Sequence, residues 1–163
     1  MNNLLRKINR LKCLSGFIKV WLFPTWLLLG ASRLMILVLS FKTIVTRLGV
    51  NNGSVSWIPI LDIKQEYKAM EISRLIQLSA RYTPWVSNCF PQAVTARMIL
   101  SFYRIPYALY FGITKDHKTG IMKAHAWVVA GRINVTGGSS FDRFTVVGCF
   151  TSDPVPTDFP PLP

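Results

Sequence analysis

The feature that most limits how this chain can fold is the apolar stretch over residues 17–41, in which Lys19 and Arg33 are the only charges. A segment of this kind must be buried against the rest of the protein or laid on a membrane. Its longest uncharged run, residues 20–32, falls short of the about 20 apolar residues that a bilayer-spanning helix requires. Pro24 and Arg33 interrupt it, and an Arg at the bilayer centre costs about 2.5–3.5 kcal/mol on insertion scales. A secretory signal does not fit either, because the charged leader is long and no small-residue cleavage site follows. The expectation is therefore two short helices, broken near Pro24 and ending near Gly49, that pack on the remaining chain or lie against a membrane surface.

Charge sharpens that choice. The net charge is +12, and eight Lys or Arg residues precede Asp62 while all seven acids lie from Asp62 onward. Such asymmetry asks for an acidic surface, whether anionic lipid, an acidic peptide or nucleic acid, unless the basic residues simply form a solvated helix face. Nucleic acid is not expected, since no basic run interleaves with aromatics. At 163 residues the chain suffices for one domain with a helical extension. Cys13, Cys89 and Cys149 are odd in number and widely spaced, which supports neither a disulfide framework nor a zinc site. A reducing cytoplasm and the absence of any metal or other cofactor follow as expectations.

Local signals then divide the chain. Asn51-Asn52-Gly53-Ser54 is a loop and Ile58-Pro59-Ile60 leads out of it in extended form, so residues 1–50 read as a basic hydrophobic helical region and 51–61 as a linker. The main domain occupies 62–150, and 151–163 is a Pro-rich tail containing Pro154, Pro156, Pro160, Pro161 and Pro163. Asp62 with Gln65 three positions on is an N-cap pattern, and Ile72, Leu75 and Ile76 share a face, which predicts a helix over 63–81 stopped by Thr83-Pro84. A second helix starts at Ser87 or Asn88, carries Ala93, Ala96 and Leu100 on one face, and ends at Arg104-Ile105-Pro106. Strands are predicted over 107–113, 123–129, 132–136 and 143–150, the middle two flanking a tight turn at Ala130-Gly131. The fold class is α+β, with helices followed by an antiparallel sheet.

One pair of residues in this layout looks like chemistry. Cys89 lies in the first turn of the second helix, where backbone N–H groups and the positive end of the helix dipole favour thiolate over thiol. A cysteine beside an apolar helix is more often a small buried hydrophobe. His125, 36 residues later near the start of a hairpin strand, changes the balance by offering a base. Counting outward from Ala130-Gly131 puts His125 opposite about Thr136. His117, beside Asp116 and Lys118, reads as a solvated loop histidine.

Around these two residues run Pro84-Trp85, Asn88-Cys89, Gln92-Ala93, Arg104-Ile105-Pro106, Phe111-Gly112-Ile113, Ala124-His125-Ala126-Trp127 and Thr136-Gly137-Gly138. In order and spacing these motifs resemble the B proteins of lasso-peptide biosynthesis, in their stand-alone form, within the transglutaminase-like cysteine protease superfamily. The likeness spans about residues 17–150, and its most specific part is the Cys helix followed by the His-Ala-Trp strand. It implies a transglutaminase/papain-like core with the Cys at a helix start and the His on an antiparallel sheet, over 62–150. It also implies a leader peptidase acting on a ribosomally made precursor peptide, in which Cys89 is the nucleophile and His125 the base. A separate leader-recognition protein and an ATP-dependent lasso cyclase are the implied protein partners, and the basic N-terminal region is a docking surface for one of them or for the membrane.

The family's third catalytic member is usually an Asp on the strand after the His, and by position Thr136 stands there, with Asn134 and Asp142 as the other candidates. A threonine can fix an imidazole tautomer but cannot stabilise imidazolium by charge. The Cys89 N–H is a candidate oxyanion donor, with Trp85 or Gln77 as a second. Two competing readings remain: another acyl-transfer enzyme of the same superfamily, an amidase or transglutaminase, and a non-catalytic membrane-associated scaffold in which Cys89 is merely buried.

Overall fold

The computed structural model describes residues 14–54, 57–116, 120–138 and 141–152. Cys13, His117 and the tail after Ser152 lie outside the described residues.

The first helix, α1, runs without a break over Gly16–Val38, so the expected interruption at Pro24 does not occur. Proline inside a helix removes one hydrogen bond and crowds the preceding turn, at a cost of about 3 kcal/mol or more. Tertiary contacts on either side override it. Thr25, Leu29 and Ser32 are buried. Ser32 Oγ shares a 3.1 Å hydrogen bond with Thr95 Oγ1, and Trp26 Nε1 donates to the Tyr82 carbonyl at 3.2 Å. The chain turns instead at Leu39, which is extended, and Ser40 caps a short second helix, α2, over Phe41–Val45.

Helix α3, Ile63–Ala80, starts with the capping box that Asp62 and Gln65 announce: Gln65 N donates to Asp62 Oδ1 at 2.8 Å and Asp62 N to Gln65 Oε1 at 3.1 Å. Helix α4, Cys89–Phe102, follows Asn88 as its N-cap residue, with Pro91 in the first turn where a missing donor is harmless. Phe17 packs on Tyr103 at one end and Phe41 on Phe90 at the other, so α1 and α4 run antiparallel.

Five strands form one antiparallel sheet in the order β1-β5-β2-β3-β4. They are β1 Val50–Asn51, β2 Ala108–Lys115, β3 Met122–Ala130, β4 Ile133–Thr136 and β5 Thr145–Thr151. β1 is not among the strands expected from the sequence; it straddles the boundary between the region read as helical and the linker, and pairs with the end of β5. The β3–β4 turn is made by Gly131, whose φ is +57°, and Arg132. Arg132 donates from Nε and Nη2 to the Glu66 carboxylate at 3.0 Å each, tying the hairpin to the first turns of α3.

Alternation along the strands separates two apolar layers. Leu109, Ala126, Val128, Val135 and Phe150 meet the helices, together with Ile72, Leu75, Ile76, Ala96 and Leu100. Ile18, Ile44 and Leu48 from the N-terminal helices belong to this same layer. Ala108, Tyr110, Trp127, Val129 and Cys149 lie on the other face with Phe144 and Val146. There Trp57 N donates to Tyr110 Oη at 2.9 Å and Tyr110 Oη donates to the Trp57 carbonyl, drawing Trp57 over the sheet. Burial pushes the Tyr110 phenol up to about 12 and raises the Cys149 thiol as well.

Candidate active site

Cys89 opens α4 and is partly exposed, whereas Cys149 is buried. Its turn is fixed from the preceding loop. Thr83 Oγ1 and Ser87 Oγ share a 2.9 Å hydrogen bond, and Gln92 Nε2 donates to the Ser87 carbonyl at 2.7 Å. Trp85 wedges this loop against α1, where it leaves room for no side chain at Gly30: a Cβ there would sit 2.8 Å from the indole. The residue after the thiol, Phe90, packs edge-on against Phe111 at 5.3 Å. Phe111 is paired with Ala126, and the next residue, Gly112, is paired with His125. The strand register therefore brings the start of α4 and His125 to the same end of the sheet.

The His125 ring is held by aromatic neighbours. It stacks on Phe144 at 4.9 Å and on Trp127 at 5.8 Å. Both belong to the layer remote from the helices, so the imidazole lies on that face at the β3 edge while Cys89 begins a helix on the other. Among the described residues no hydrogen bond joins the Cys89 thiol to the ring. Gly112, opposite His125, supplies the space for the clamp, because a Cβ there would come within 2.7 Å of Phe144 Cβ and 2.8 Å of the Trp127 ring.

The polar partner of His125 is a backbone group. Nε2 lies 2.9 Å from the Gly137 carbonyl oxygen. A carbonyl can only accept, so this contact requires a proton on Nε2, and in the neutral ring Nδ1 is the nitrogen that carries the lone pair. Only glycine fits at that position: Gly137 has φ +91°, and a Cβ would stand 2.3 Å from Trp127 Cβ and 3.2 Å from His125 Nε2. The motifs containing Gly112 and Gly137 were visible in the sequence, yet no role had been read from them.

Contrary to the expectation from the sequence, Thr136 does not stand opposite His125; it pairs with Val128. Two displacements account for the correction. The turn centres on Gly131 and Arg132 rather than Ala130 and Gly131, since Ala130 pairs with Ile133, and the register shifts again between Val128 and Val129. Thr136 is buried, and its Oγ1 has no hydrogen-bond partner among the described residues. Asn134 is exposed opposite Val129, and its carbonyl accepts from Ser73 Oγ at 3.4 Å. Asp142 is exposed in the 3₁₀ turn Phe141–Arg143 that leads into Phe144. Among the described residues, none of these three side chains is hydrogen-bonded to His125. The two suggested oxyanion side chains are also directed elsewhere: Trp85 Nε1 is buried with no hydrogen-bond partner among the described residues, its indole packed on Gly30, and Gln77 Nε2 donates to Ser73 Oγ at 3.3 Å.

Among known families, the model of the transglutaminase-like superfamily matches residues 35–149, which contain Cys89, His125 and Gly137. No curated protein and no solved structure matches the chain.

Proposed function

This chain belongs to the transglutaminase-like superfamily, and from that premise we propose that it is a cysteine peptidase that removes the leader from a ribosomally made lasso-peptide precursor. The observation that carries the reading is the place of Cys89: the first residue of a helix inside the matched region, partly exposed, packed through Phe90 onto the strand pair that bears His125. The motif resemblance supplies the substrate class.

In this reaction the Cys89 sulfur forms a bond to the carbonyl carbon that ends the leader, with the thiol proton taken by His125 Nδ1. The Cys89 N–H, free of an intrahelical partner in the first turn, donates to the developing oxyanion. Collapse breaks the C–N bond and the imidazolium protonates the departing core amine. A water deprotonated by His125 then cleaves the thioester, freeing the leader acid and restoring the thiol. Because the imidazole lies on the sheet face remote from Cys89, the reaction requires a rearrangement on substrate binding that brings His125 to the thiol. The Gly137 carbonyl takes the orienting role that a carboxylate plays elsewhere, and fixes the tautomer without a countercharge. A separate recognition protein delivers the leader, and an ATP-dependent cyclase consumes the freed core.

Mass spectrometry of the precursor, incubated with this protein and the recognition protein, tests the reading. Wild type should release leader and core, and Cys89→Ala should leave the precursor intact while remaining folded. Slow cleavage is expected without the recognition protein. Maturation retained in Cys89→Ala would end the nucleophile assignment, and transfer of the acyl group to an added primary amine in preference to water would move the enzyme to the transglutaminase class.

A further inference from the structure

We propose that the outer face of α1 docks on an anionic membrane surface. The helix has 23 residues and is long and apolar enough by length and composition to cross a bilayer. It is nevertheless held on the protein by Ile18, Thr25, Leu29 and Ser32, by the bond from Ser32 to Thr95 and by that from Trp26 to the Tyr82 carbonyl. It therefore lies along the molecule with one side turned outward. That side is apolar: Val20, Phe23, Leu27, Leu34 and Val38 are 72, 67, 49, 62 and 72 % exposed, and Phe41, which starts α2 beyond the turn at Leu39, is 57 % exposed. The spacing of three, four or seven residues among the five α1 side chains keeps them on one side of that helix.

Charge selects the occupant. No acidic residue precedes Asp62, and Lys42 and Arg47 are exposed just beyond the apolar line. A second copy would set the same basic surface against itself. An anionic lipid surface instead accepts the apolar side chains at the acyl boundary while its headgroups meet the basic ones. Phe41 packs on Phe90, next to Cys89, so docking would bring the helix start beside the interface. The inference does not depend on the proposed reaction, since it rests on exposure and charge alone.

Flotation of the full chain with vesicles of phosphatidylglycerol and phosphatidylcholine, against vesicles of phosphatidylcholine alone, tests it. Binding to the anionic vesicles should exceed that to the neutral ones by about tenfold or more and weaken with salt. The variant Phe23→Ser, Leu27→Ser, Leu34→Ser, all at exposed positions, should lose about a hundredfold, and Lys42→Glu with Arg47→Glu about tenfold. Circular dichroism checks that each variant is folded, and the comparison of lipid compositions with wild type needs no variant. Wild type that stays unbound with anionic vesicles overturns the proposal, whether it is monomeric or self-associated. So does a folded triple variant that floats as well as wild type.

Discussion

At Gly137 a backbone carbonyl occupies the place where a side chain was sought, and the neighbouring Thr136 makes the difference measurable. Thr136 Oγ1 is buried without a partner among the described residues, a condition that costs about 1–3 kcal/mol. Thr136→Val keeps the shape and removes the hydroxyl, so we expect equal or greater stability in urea unfolding and cleavage within a few-fold of wild type. A large loss of activity in that folded variant would return the orienting role to the threonine. Gly137→Ala should do the opposite. Its Cβ meets Trp127 Cβ at 2.3 Å in a φ region that disfavours side chains, displacing the carbonyl from Nε2. We expect kcat to fall about a hundredfold, the scale of a misplaced catalytic group. The ¹⁵N signals of His125 should lose the pattern of a proton held on Nε2, a change that a loss of packing elsewhere would not produce. Cys89 and His125 were legible as residue types with known chemistry. The carbonyl was not, because every residue carries one and the sequence does not say where it points.

Elements with local signals were legible, and those created by packing were not. The capping box of α3 and the Pro-tolerant first turn of α4 depend on neighbours a few residues away, so the sequence displays them. Continuity of α1 through Pro24 depends on partners such as Thr95 and Tyr82, far along the chain. Pro24 is exposed and leaves one helical carbonyl without its donor, so Pro24→Ala should raise stability by about 1–3 kcal/mol in chemical denaturation. A fall in stability would mean that the proline shapes the helix for its contacts. The hairpin carries a pH signature. Hydrogen bonds from the Arg132 side chain and N–H, with its charge, hold the Glu66 carboxyl below its usual range. A carboxylate depressed in the folded state stabilises the fold above its unfolded value and loses that contribution as pH falls through the folded one. Glu66→Gln should thus lower the melting temperature at neutral pH, with the difference closing in acid below that range. A gap independent of pH would rule out the ion pair as its source.

At the scale of the molecule, setting residues 1–50 apart from the main domain followed composition, and composition cannot show on what an apolar helix packs. Ile18, Ile44 and Leu48 share one layer with α3, α4 and the sheet, and the Leu48 carbonyl accepts from the buried Tyr107 hydroxyl at 2.9 Å. A region that completes another's core unfolds with it. Leu48 is buried to 2 % exposure, so Leu48→Ala should cost about 2–5 kcal/mol through lost burial and the cavity left behind. That loss should register equally in a fluorescence transition, to which Trp21 and Trp26 of α1 contribute, and in far-ultraviolet circular dichroism of the whole chain. Coincident midpoints in wild type and a common shift in the variant would establish one cooperative unit. If the two transitions separate, or if only the fluorescence responds, the N-terminal helices are an appendage. The result also bears on the membrane face proposed for α1: a helix that unfolds only together with the core can dock sideways on lipid without unfolding the protein.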